Sequence, residues 1–148
     1  MVANVSGVDA ALLGVIAVGG AIGAEARYTV SLWVPHRGAI PWQTLAVNVF
    51  GCFLIGVLMV CITEIWVAHR LLRPFLGVGV LGGFTTMSTY AVEVRTLLES
   101  GRVGAGLAYL GGTVMTGLIS VVLGVSATRW VSVTARRLGA GDEYRVDE

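Results

Sequence analysis

Residues Gly77 to Tyr90 read GVGVLGGFTTMSTY, and this stretch decides the fold. It is too polar and too rich in Gly and Thr for an ordinary membrane helix, yet it lies between apolar runs of membrane-spanning length. Hydrocarbon satisfies no backbone N–H or C=O, so irregular backbone survives there only where protein buries it or where it lines a watery cavity or ion site. A helix broken near mid-membrane is therefore a mark of ion or substrate handling. The plainer alternative is a Gly/Thr helix packed tightly against its neighbours, as small residues permit in membrane bundles.

Outward from this stretch, apolar runs predict four spans: Ala10 to Val34, Trp42 to Val67, Leu71 to Leu98 with the broken segment inside it, and Val103 to Val131. Short polar connections separate them: Pro35-His36-Arg37-Gly38, His69-Arg70 with Pro74 just beyond, and Glu99-Ser100-Gly101-Arg102. Trp33, Trp42, Trp66 and Trp130 fall near span ends, where indole favours the membrane interface. Hydrophobic residues make up 55% of the 148 and charged residues 13%, against about 25% charged in soluble domains. This is the composition of an all-α integral membrane protein with no room for a soluble domain. Residues 1–134 form one four-helix transmembrane domain, and residues 135–148 a polar, mobile tail of mixed charge. With no Arg or Lys ahead of the first run, the N-terminus lacks the basic region of a signal peptide, and that run reads as a retained span.

The net charge of +1 gives no nucleic-acid signal. Cys52 and Cys61 both lie in the second run and read as small buried residues, with no His or acid at metal spacing. Four spans put both termini on one side, together with Arg70, Arg73, Arg129, Arg136, Arg137 and Arg145. Arg37, Arg95 and Arg102 fall on the other, with Arg27 near the end of the first span. So slight a bias permits insertion in both orientations; the alternative is a fixed topology with the termini inside. Gly19 and Gly23 are spaced as GxxxG, as are Gly79 and Gly83, and Gly111, Gly112, Gly117 and Gly124 recur in the fourth span. Such spacing allows close backbone approach and points to a compact, oligomeric bundle. Four helices have little interior, so a pore calls for a second copy.

The polar residues inside the spans carry the chemistry. Asn48 must satisfy its amide in hydrocarbon, so it either ties helices together or faces a polar path. Thr44 shares its face at i, i+4, as Tyr109 and Thr113 share one in the fourth span, with Thr116 nearby. Ser88, Thr89 and Tyr90 follow the break. Together these side chains supply neutral N–H and O–H donors without an Arg among them. Such a track suits a small, strongly hydrated anion, because a buried full positive charge would trap the ion rather than pass it. Aromatic ring edges are positive and add to the same end. Arg27, with Glu25 two residues before it, attracts anions at a vestibule, pairs with Glu25, or snorkels to the interface; the sequence leaves all three open. At the break, Gly82-Gly83-Phe84-Thr85-Thr86 frees backbone carbonyls, and such carbonyls from two symmetry-related chains suit a hard cation such as Na⁺.

Three ordered blocks make the chain similar to the CrcB/Fluc family of fluoride channels. GGAIGAEARY, Gly19 to Tyr28, resembles that family's GGxxGAxxRY; TLAVNVFGCFLIG, Thr44 to Gly56, its TLxVNxxGxFxxG; and GGFTTMSTY, Gly82 to Tyr90, its GGxTTFSTF. The resemblance spans residues 14–131 and implies an antiparallel, dual-topology dimer in the cell membrane with two fluoride pores. It also implies a central structural Na⁺ that is not transported, held by the carbonyls of Gly82 and Thr85. Asn48 would donate to fluoride and Arg27 would line the vestibule. Thr44, Ser88, Tyr109 and Thr113 would belong to the polar track. The family's two pore phenylalanines fall at Met87 and Tyr90. Tyr90 keeps a ring edge, whereas Met87 offers only a polarizable thioether. A homodimer is the default, and a heterodimer with a related chain the alternative. The implied role is passive efflux that lowers toxic cytoplasmic fluoride.

Two other readings compete. A small proton-coupled multidrug exporter also has four spans, and needs a titratable carboxylate facing its chamber. Glu25 is its candidate, since Glu64 and Glu93 lie nearer span ends, but aromatic substrate-box residues are lacking apart from Tyr28. A non-transporting assembly subunit would use the GxxxG contacts alone. An enzyme is disfavoured because no nucleophile–base pair or metal cluster is legible.

Overall fold

A computed structural model describes residues 10–33, 38, 40–66 and 70–143, with side chains through residue 135. Within these residues the protein is all helical, and four helical stretches are long and apolar enough to cross a membrane. Helix α1 is Ala10–Trp33 and α2 is Trp42–Ile65, whose last turn, Cys61–Ile65, is π-wound. The third stretch, Pro74–Glu99, comprises α3 (residues 74–84) and α4 (Met87–Glu99). Helix α5, Val103–Glu143, runs on into the segment read from sequence as a tail. Val34, Pro35, His36, Arg37, Val67, His69 and the side chains of Arg136, Arg137 and Arg145 lie outside the described residues.

At 1.5 Å per residue, the 24 residues of α1 cover about 36 Å, enough for a hydrocarbon core of about 30 Å. The large apolar side chains left uncovered along α5, among them Leu107, Val114, Leu118 and Val122, are what a lipid-facing helix requires. The buried apolar core is small and centres on Tyr90, Val94, Leu97 and Tyr109, with Ile40 and Leu45 packed against it.

Small residues set the helix crossings. The two GxxxG pairs meet each other: a Cβ on Gly19 would stand 2.6 Å from the Phe75 carbonyl oxygen, and one on Gly79 3.0 Å from that of Ile16. A Cβ on Gly23 would run into the Val80 carbonyl and one on Gly83 into that of Gly20. Thus α1 and α3 touch backbone to backbone, which any side chain would prevent. Gly56 on α2 and Gly124 on α5 make the second close seam, against Val121 and Phe53. Near the helix ends, Arg129 on α5 binds Glu64 on α2 through Nε at 2.9 Å and Nη2 at 2.6 Å.

Pro74 opens α3, where its missing N–H costs nothing. Residues Pro74–Leu81 are π-wound, and the Gly82 N–H reaches back to the carbonyls of Gly77 and Gly79. Such winding is rare and often marks functional sites. The helix ends at Phe84, because Thr85 (φ −76°, ψ 156°) and Thr86 (φ −144°, ψ 118°) are extended. Thr86 then caps α4: its Oγ1 accepts the Thr89 backbone N–H at 3.2 Å. The far end of α4 closes in a Schellman turn. Gly101 takes φ 75°, its N–H reaches Leu98 O at 3.1 Å, and the Arg102 N–H reaches Leu97 O at 3.0 Å.

Candidate functional site

The two extended threonines organise the polar interior. On α2, the side-chain amide of Asn48 bonds the backbone of Thr86 in both directions. Asn48 Nδ2 donates to Thr86 O at 3.0 Å, and the Thr86 N–H donates to Asn48 Oδ1 at 2.8 Å. An extended residue inside a membrane bundle leaves its N–H and C=O without helical partners, and one amide supplies both. Asn48 is therefore a helix tie. It also keeps a second N–H on Nδ2, since a primary amide carries two donors.

Thr86 stands between two cavities. The first, about 330 Å³, is lined by Arg27, Gln43, Thr44, Thr86, Thr89 and Glu93 among others. The second, about 310 Å³, is lined by Asn48, Cys52, Thr86, Met87, Tyr90 and Thr113 with apolar residues of α2 and α5. The first is polar and holds charges of both signs. The second holds no charged side chain, and its polar groups are the amide of Asn48 and hydroxyls.

In the first cavity Glu93 accepts two hydroxyl protons. Thr44 Oγ1 donates to Oε1 and Tyr109 OH to Oε2, each at 2.7 Å. This joins α2, α4 and α5 through one carboxylate. On sequence Glu93 reads as a residue near a span end. The signal that could have found it is its register: Thr86, Thr89, Tyr90 and Glu93 recur at helical spacing on one face, and an intramembrane acid is a functional candidate by default. Arg27, half-buried on α1, does not pair with Glu25. Its Nη1 donates to Thr85 O at 3.3 Å, across 58 residues of chain.

In the second cavity, Thr113 Oγ1 is fully buried with no hydrogen-bond partner among the described residues. A lone buried hydroxyl is costly unless something polar shares its cavity. Tyr90, only 3% exposed, packs its ring against Tyr109 at 5.5 Å and donates its hydroxyl to Leu110 O at 2.7 Å. Its hydroxyl is thus committed to α5. Met87 is 73% exposed and reaches the cavity from its rim. Ser88 lies on the exposed side, 3.4 Å from Thr86 Oγ1, and lines neither cavity. Thr116 bonds its own helix at Gly112 O and does not join the track.

The end of α3 presents carbonyls without their usual donors. Gly82 O would accept the N–H of Thr86 in a continuous helix, but that N–H is bonded to Asn48. Thr85 O, turned off the helix by its extended ψ, accepts only the guanidinium of Arg27. Carbonyl oxygens at a helix C-terminus carry partial negative charge and suit a hard cation. These are oxygen donors of the kind Na⁺ takes, and the guanidinium of Arg27 already contacts one of them.

Four membrane-length helices, with two open cavities that share Thr86, define a multi-pass membrane protein. The chain belongs to the CrcB family: the family model described as "CrcB-like protein, Camphor Resistance (CrcB)" matches residues 14–125. It is 59% identical over 136 residues to a protein of Nocardia farcinica named fluoride-specific ion channel FluC 2, covering 91% of this chain and 97% of that one. To fluoride-specific ion channel FluC 1 of Streptomyces coelicolor it is 54% identical over 124 residues, covering 83% and 80%. To fluoride-specific ion channel FluC of Chloroflexus aurantiacus it is 42% identical over 117 residues, covering 78% and 93%. It is a multi-pass cell membrane protein.

Proposed function

We propose that the protein is a fluoride-specific ion channel giving passive fluoride efflux and lowering cytoplasmic fluoride toxicity. The observation that carries this reading is the uncharged cavity beside Asn48, which shares Thr86 with the cavity that holds Arg27. Fluoride holds its water tightly, so a pathway must replace that water with donors that do not trap the ion. Asn48 offers its second amide N–H and Thr113 its unpaired hydroxyl. Met87 and the ring of Tyr90 complete the wall. Thr44 and Tyr109 act differently, since their protons face Glu93; each reaches an anion only by leaving the carboxylate. Glu93 thereby holds two donors ready without itself binding an anion.

The interruption of the third span at Thr85 and Thr86 stands near mid-membrane in this reading, where it exposes Gly82 and Thr85 carbonyls to a structural Na⁺. That ion would supply fixed positive charge to the end of α3 and is not transported. The exposed Met87 and Gly82, the weak Arg bias and the want of interior in a single bundle support an antiparallel, dual-topology dimer. Residues 1–134 serve as the channel domain. A multidrug exporter is less favoured: Glu25 lies exposed on α1 and lines neither cavity.

Growth provides the test. Expression of this chain in bacterial cells stripped of their own fluoride exporters should restore growth in fluoride medium, and Asn48→Asp should not. Continued sensitivity with well-expressed protein contradicts the reading. Proton-coupled drug uptake abolished by Glu25→Gln would favour the exporter.

A further inference from the structure

We propose that Arg27 sets the affinity of the carbonyl site at the end of α3, holding sodium binding down by charge while it orients the Thr85 carbonyl. This rests on the sodium reading above. A guanidinium keeps its charge at every working pH. Among the described residues this one makes no pair with Glu25, two residues away, and crosses from α1 to the carbonyl of the extended residue that follows α3. The bond is 3.3 Å long, whereas a well-made charge-assisted bond is about 2.7–2.9 Å. Thr85 O accepts no other hydrogen bond among the described residues, and a carbonyl oxygen has two lone pairs. The oxygen is thus loosely held by one cation and able to take a second.

Two cations on one oxygen repel. Removing the guanidinium charge therefore strengthens sodium binding, although it also removes a tether. The coupling runs both ways. Sodium on Thr85 O weakens the hold on Arg27 and frees its charge toward the vestibule, where Glu93, Gln43 and Thr89 line the same cavity. Arg27 is a positioning residue here, acting on sodium through the carbonyl it holds.

The experiment is thermal unfolding of the intact purified protein across a sodium titration, with N-methylglucamine replacing the cation. Arg27→Gln and Arg27→Met remove the charge, the second keeping the apolar stem; Arg27→Lys keeps the charge. The half-saturating sodium concentration should fall by roughly fivefold or more in both neutral variants and stay within about twofold in Arg27→Lys. Loss of a mere structural prop moves it the opposite way. Neutral variants that need as much sodium as the wild type, or more, overturn the inference, as does failure of both to fold. A wild-type protein whose unfolding ignores sodium overturns the sodium reading itself, a result distinct from a sodium-responsive wild type with unmoved variants.

Discussion

Asn48 and Thr86 bond each other in both directions where the helix is interrupted: amide donor to carbonyl at 3.0 Å, backbone N–H to amide oxygen at 2.8 Å. The pairing explains why Asn rather than Ser or Asp stands at this point. Only a primary amide offers an acceptor, a donor to return, and one further donor for the cavity. Asp lacks both donors and sets negative charge beside the Thr86 carbonyl. Asn48→Asp should cut fluoride efflux at least about tenfold, the factor equivalent to 1.4 kcal/mol. Efflux at the wild-type rate would remove Asn48 from the pathway.

The Glu93 clamp makes a second prediction. Glu93→Gln preserves shape but replaces one accepting oxygen with a donor, so either Thr44 or Tyr109 loses its partner. A hydrogen bond to a charged group contributes about 1.5–3 kcal/mol. The variant should unfold at lower temperature and conduct more slowly, with Thr44→Val partly reproducing both effects. Unchanged melting and efflux in Glu93→Gln would mean that the carboxylate holds nothing in place.

The α1–α3 seam should be intolerant of even a methyl group. A Cβ on Gly23 would meet the Val80 carbonyl and the Phe84 backbone nitrogen, neither of which can swing aside as a side chain can. Overpacking costs typically about 1–3 kcal/mol, and here the cost falls at the high end. Gly23→Ala should lower the yield of folded protein and its melting temperature. Gly14→Ala, with open space around it, should change neither.

Met87, at a position where the resemblance implies a pore phenylalanine, lines the second cavity. A thioether lacks the positive ring edge that favours an anion. Met87→Phe should speed fluoride efflux and Met87→Ala should slow it, by severalfold each. Unchanged rates in both variants would show that this side chain takes no part.

Much of the fold was legible in the chain. Apolar runs marked the four spans, and the two GxxxG pairs marked close backbone approach, which the structure places between α1 and α3. Three features were not legible, each because it depends on contacts between distant segments. Glu93 looked like an interfacial acid until α4 placed it between Thr44 and Tyr109. The ring of Tyr90 lines the second cavity, but the bond of its hydroxyl to the Leu110 carbonyl is one no local pattern encodes. Arg27 had three readings, and its actual partner lies 58 residues away. Ser88 was included for following the break, yet helical phase turns it to the exposed side of α4. The tail from residue 135 begins as a continuation of α5 because Arg136, Arg137 and Leu138 are good helix formers that extend an established helix.

The central claim is that this chain by itself passes fluoride through an uncharged cavity. The direct measurement is ion release from liposomes containing only the purified protein, read with a fluoride electrode and, separately, a chloride electrode. The account predicts rapid fluoride release with chloride retained. Retention of both ions by well-folded protein, or release of both alike, would contradict it.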